Sequence, residues 1–164
     1  MNIFFLDRNI QKSAEYHVDK HVVKMRLELA QLASTAHWQS GGSAPYKQTH
    51  INHPSAIWTR HSLSNYNYVV DLGLALCDEL EFRYGTANQK CRETLIWLRD
   101  NKPNIPDIGF TYPLLAMDEK FKLAYVGPTS HDALDYAVCN YRNYYQNGKQ
   151  HLYSWKNRQK PEWL

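Results

Sequence analysis

The chain is predicted to be an all-α, single-domain bundle of about four to five helices over residues 1–164, with a short extended N-terminal segment and an irregular basic, aromatic C-terminal tail. Three observations predict it. Apolar residues recur at helical spacing through several long segments. Prolines and glycines fall mostly between those segments. The 164 residues are 43% hydrophobic, enough for one real core. No run of ~18 apolar residues occurs, so no membrane span and no membrane partner are expected. "MNIFFLDRN" has no basic leader and too short an apolar run for a signal peptide, which predicts a cytoplasmic protein.

The elements follow in order. "NIFFLD" is short, apolar and aromatic, suited to a short strand or an extended lead-in. A long helical pattern runs from Ile10 to Trp38. "QSGGSAPYKQTHINHP" is a loop punctuated by Gly41, Gly42, Pro45 and Pro54. Pro54 suits the first turn of the next helix, where its missing N–H costs nothing. That helix pauses near Ser62–Ser64, resumes through "NYNYVVDLGLALCDELEFRYG" and is capped by Gly85. "TANQKCRETLIWLRD" is amphipathic, and the proline-rich 101–121 stretch reads as loop. "TSHDALDYAVCNYRNYYQNG" opens with a Thr/Ser cap and an acidic first turn and ends at Gly148. The tail after it is basic and aromatic.

Composition narrows function only a little. A net charge of +3 permits nucleic acid without demanding it. Twelve Tyr and five Trp suit either a core or base stacking. Cys77, Cys91 and Cys139 lack CxxC spacing and are odd in number, which predicts reduced, buried thiols. There is no P-loop, GxSxG elbow, dinucleotide fingerprint or Cys-rich zinc motif, which removes several common enzyme classes.

Three constellations carry the chemistry. In the first helix, His21, Lys24 and Glu28 fall within roughly 40° of His17 at ~100° per residue. They form a polar stripe beside a core face of Val18, Val22, Met25, Leu29, Leu32 and Ala36. The bland alternative is a solvated flank with an i,i+4 Lys24–Glu28 pair. His17 and His21 also have the spacing of metal ligands on a helix, but the Glu of an HExxH motif is absent. The second constellation is "YKQTHINHP". Lys47, His50 and His53 precede a helix N-terminus and could complement a phosphate there. Trp58 and Arg60 follow within two turns. The third is the tail. Arg142, Lys156 and Arg158 alternate with rings such as Trp155, a pattern used to grip nucleic-acid backbones and stack bases, or simply to dock a tail on a core.

The order of these pieces resembles the pyrimidine-dimer DNA glycosylase (endonuclease-V-type) family of tailed phages and bacteria. "NIFFLD" resembles its extended lead-in, and "DKHVVKMRLEL" resembles its first helix, with Asp19, His21 and Arg26 in place. "HPSAIW…YVVDLGLALCDELEFRYG" resembles its second long helix, and "PEWL" its C-terminal Pro-x-Trp region. The resemblance covers most of the chain through short, degenerate motifs, and needs an insertion around residues 40–52. It implies that Glu28 is the catalytic carboxylate. The family's nucleophile is the α-amine exposed after Met removal. With Asn at position 2 the Met is usually kept, so the nucleophile is the amine of Met1, or a lysine such as Lys24, or there is none.

The leading expectation is therefore a monomeric DNA N-glycosylase, with or without abasic-site lyase activity. It would act on double-stranded DNA with a damaged or modified base, without metal or other cofactor. Glu28 would stabilise positive charge developing on the sugar. His21 would tune Glu28 or move a proton, with His17 beside it. Trp58 would favour the extruded base. Arg26, Arg60 and the tail would neutralise phosphates. Two alternatives stand. One is a metal-dependent nucleotide or phosphoester hydrolase using His17, His21, His50 and His53, with Glu28 or Asp19 as base or ligand. The other is a non-catalytic nucleic-acid- or nucleotide-binding protein.

Overall fold

A computed structural model of the chain describes residues 1–86, 89–124 and 132–164. Six α-helices occur among the described residues, with two short 3-10 turns and no strand. They are α1 (Ile10–Tyr16), α2 (Asp19–Gln39), α3 (Pro54–His61), α4 (Leu63–Tyr84), α5 (Gln89–Asp100) and α6 (Ala133–Gly148). The all-α expectation holds. No described helix is long and apolar enough to cross a membrane.

The predicted 10–38 helix is two helices. Asn9 caps α1 by accepting from the Lys12 N–H. The chain then turns extended at His17 and Val18. The first N–H of α2, that of Asp19, donates to Ser154 O at 2.9 Å, so a distant segment supplies the cap that Val18 cannot. The second predicted break is found where expected, with Ser62 extended between α3 and α4. Gly85 caps α4 at φ +65, a left-handed value that glycine adopts without strain. Asp132 caps α6; the predicted Thr129/Ser130 cap lies outside the described residues.

The lead-in is extended but pairs with no strand among the described residues. It threads the core, with Ile3, Phe4, Phe5 and Leu6 all buried. Such a segment must find partners for its peptide groups. The Leu6 N–H donates to Ser13 Oγ, and Leu6 O accepts from Arg142 Nε at 2.7 Å. Phe5 stacks on Tyr68 and meets the edge of Trp58. Around this spine, α2 and α4 form the main pair. Gly73 on α4 admits α5 so closely that a Cβ there would stand 2.8 Å from Leu95 Cδ2. Cys77 and Cys91 are buried thiols as expected, whereas Cys139 is exposed.

The tail is docked. Asp19 accepts from Arg83 Nη1 (2.8 Å), Ser154 Oγ (2.5 Å) and the Lys156 N–H (3.0 Å). The fully buried Glu79 accepts from Arg83 Nε at 2.6 Å and from Arg158 at 2.9 Å.

Candidate active site

Glu28 sits midway along α2, 7% exposed. A buried carboxylate requires charge or hydrogen-bond partners, and the extended lead-in delivers them. Oε2 accepts from the Asn2 N–H at 3.2 Å and lies 3.6 Å from the α-amino nitrogen of Met1. Oε1 lies 3.3 Å from Lys24 Nζ, one turn earlier on the helix. Lys24 is largely exposed, so that pair adds little to stability. The Met1 side chain is only 3% exposed, which holds the amine in place.

Asn2 fixes this geometry. Its Oδ1 accepts from Tyr141 Oη at 2.7 Å, and its Nδ2 donates to Ala116 O at 2.9 Å. The amine is thereby positioned from α6, from the loop before the Glu119–Phe121 turn, and from α2. Sequence reasoning named Met1 and Glu28 but missed Asn2 and Tyr141. The sole signal for Asn2 was its place next to the amine.

His53 stands on the same side. As the N-cap of α3, its Nδ1 accepts from the Ser55 N–H at 3.1 Å. Burial, then the nearby Met1 ammonium and His50, lower its pKa, against a weaker opposing pull from Glu28. His50 adopts φ +48, outside the range most residues prefer, and its Nδ1 meets Thr49 Oγ1 at 2.6 Å. Lys47 is exposed in the same loop. Arg60 Nη1 donates to Ile51 O at 2.7 Å, tying that loop to α3. Beside α3 lies an apolar cleft of about 380 Å³, lined by Ile57, Trp58, His61, Thr111, Tyr112 and Leu114. Trp58 is itself buried, donating through Nε1 to Thr111 O.

The single stripe of His17, His21, Lys24 and Glu28 is corrected. The break at residues 17–18 takes His17 off the axis of α2. His17 donates through Nδ1 to Ser13 O at 2.7 Å, leaving Nε2 buried without a partner. His21 stacks on Phe4 at 4.3 Å, and its Nδ1 meets Tyr145 Oη at 2.6 Å. Burial drives both imidazoles toward the neutral form, His17 to a pKa of about 4 and His21 to about 3. Neither hydrogen-bonds to Glu28 among the described residues; both are packed into an aromatic layer.

The remaining predicted residues also have structural partners. Arg26 is buried on the far side of α2, where its charge acts on Cys91 and Tyr46. Arg142 donates to Leu6 O and Asp7. Arg158 binds Glu79 and lies over Phe82, Lys156 lies over the Tyr84 ring, and Trp155 Nε1 donates to Tyr16 O. No group of three His, Cys, Asp or Glu side chains stands close enough to hold a metal among the described residues. The four histidines of the hydrolase alternative therefore do not converge.

The arrangement can do amine–carboxylate chemistry. An amine within reach of a carboxylate can attack an electrophilic carbon while the carboxylate offsets positive charge. No protein-family model, curated protein or solved structure matches the chain.

Proposed function

We propose that the protein is a DNA N-glycosylase with an associated abasic-site lyase step, acting on a damaged or modified base. The observation that carries this reading is the Met1 amine 3.6 Å from Glu28 Oε2, held there by Asn2. Glu28 stabilises the cationic sugar as the glycosidic bond breaks. The bonding pair leaves with the base, which takes up a proton. The Met1 ammonium first releases a proton to solvent; the free amine then gives its lone pair to C1′ and loses a second proton. Ring opening then yields an imine, from which loss of a C2′ proton expels the 3′ phosphate. Lys24 and Lys47 supply positive charge for the DNA backbone. The apolar cleft beside α3 offers room for a flat base. The resemblance of "DKHVVKMRLEL" to the glycosylase first helix supports the same assignment of Glu28.

The test is borohydride trapping on duplexes carrying ultraviolet-induced dimers or modified bases, with the native N-terminus exposed. A covalent protein–DNA adduct that maps to Met1, and disappears when two residues are added ahead of it, is the expected result. Base release that survives both this extension and Glu28→Gln would refute the mechanism. Duplex binding without any base release would refute the enzyme reading in favour of a binding protein.

A further inference from the structure

The exposed face of α2 beside Glu28 has an unusual make-up. Lys20 and Lys24 are four residues apart, as are Val23 and Leu27, and the two pairs interleave, so their side chains form one ridge. Val23 is 45% exposed and Leu27 41% exposed. The helix carries only two acids, Asp19 and Glu28, and both are engaged, Asp19 with Arg83 and Glu28 with the amine and Lys24. Lys20 makes no ion pair among the described residues. Lys149 lies over the Phe4 ring on which His21 stacks, and over Tyr144. The ridge is therefore apolar along one edge, at Val23 and Leu27, and basic along the edge toward Glu28, at Lys20 and Lys24.

Single exposed aliphatic residues need no explanation. Two of them one turn apart, edged by lysines and adjoining a buried catalytic-type carboxylate, fit a polyanion that also offers an apolar slot. A base stack opened at one step is such a partner. Lysines meet the phosphates while an aliphatic side chain fills the gap left by the displaced base. Leu27 immediately precedes Glu28 and points ~100° away from it around the helix.

We infer that Leu27, supported by Val23, is a wedge that enters the base stack of duplex DNA beside the extruded nucleotide, with Lys20 and Lys24 on the flanking phosphates. This rests on the glycosylase reading for the identity of the extruded group, but it is tested separately.

The probe is a duplex holding a stable tetrahydrofuran abasic analogue flanked by 2-aminopurine. Binding of the unaltered protein is expected to raise 2-aminopurine fluorescence several-fold. Leu27→Ala, checked for folding by circular dichroism, is expected to bind at low salt but lose that rise. Lys20→Ala is expected to keep the rise and to lower the slope of log affinity against log salt by about one. On a duplex that the protein cleaves, Leu27→Ala is expected to slow base release roughly tenfold. An unchanged fluorescence rise in Leu27→Ala overturns the wedge, even where base is still released. A rise in the unaltered protein that Leu27→Ala abolishes, without base release from any altered duplex, keeps the wedge and sinks the glycosylase reading. A shift from dimer to monomer in Leu27→Ala by sedimentation overturns the proposal in favour of a self-association face.

Discussion

Acidification from pH 7 toward pH 4 should unfold this protein chiefly through His17 and His21. In an unfolded chain an imidazole takes its proton near ~6.5. In the folded protein burial delays that to about 4 for His17 and about 3 for His21. Across this interval the unfolded state binds protons that the native state refuses. Stability is therefore complete above the unfolded value and falls as the pH drops through the window. Two such protons give a slope approaching ~2.7 kcal/mol per pH unit. His17 alone accounts for ~3 kcal/mol over its full window, a large part of the ~5–15 kcal/mol that a domain has. His37 and His53, also lowered by burial, act in the same direction. Urea unfolding at pH 7, 6, 5 and 4.5 measures the slope, and the imidazole Cε1–H shifts of the native protein report the two sites directly. His21→Gln should keep a partner for Tyr145 and remove one proton from the slope. A native His17 or His21 that titrates at 6 or above would falsify the buried, neutral assignment and return these residues to acid–base chemistry.

Further outcomes follow from the same geometry. Glu79→Ala leaves the guanidinium of Arg83 buried with Asp19 as its remaining acid; a loss of about 3–5 kcal/mol is expected, read as a Tm fall of roughly 10 °C by calorimetry. Gly73→Ala puts a methyl 2.8 Å from Leu95 Cδ2 and should cost about 1–3 kcal/mol, with Leu95→Val recovering part of it in a double-mutant cycle. Glu28→Gln keeps an acceptor for the Asn2 N–H but removes the charge facing the Met1 amine, so it should cost about 1–3 kcal/mol, and it should lower base release by roughly 10²–10³-fold in single-turnover assays.

Local chemistry made much of the fold legible. Pro54, the pause at Ser62, Gly85 and Gly148 each act within a few residues, so the sequence alone marks them. The break at His17–Val18 carries no proline or glycine. It is imposed by Ser154 O capping Asp19 and by the Ser13 carbonyl drawing in His17. Helical-wheel arithmetic across that hidden turn placed His17 on a line it does not share. The core face from Val18 to Ala36 is buried as expected; all of it but Val18 lies within α2, and Val18 packs inward from the cap position. A tail rich in Arg and aromatic rings reads alike whether it grips DNA or folds back. What decides is the position of Asp7 and Glu79, which lie 135 and 79 residues from Arg142 and Arg158. Glu28 is legible as one member of the polar stripe on α2, while its approach to the Met1 amine depends on a lead-in whose path only the folded core defines.

The latch between Asp19 and residues 154–156 also sets a timetable. The helix bearing Glu28 is synthesised early, but its first residue is fastened by a strand of tail 135 positions downstream. Loop closure over such a span is slow compared with forming the helix itself. That fastening is therefore expected to follow the helix it closes, a non-local contact after a local one. A single cut between Gly148 and Ser154 would free that fastening and disarm the protein without touching any group that meets a substrate.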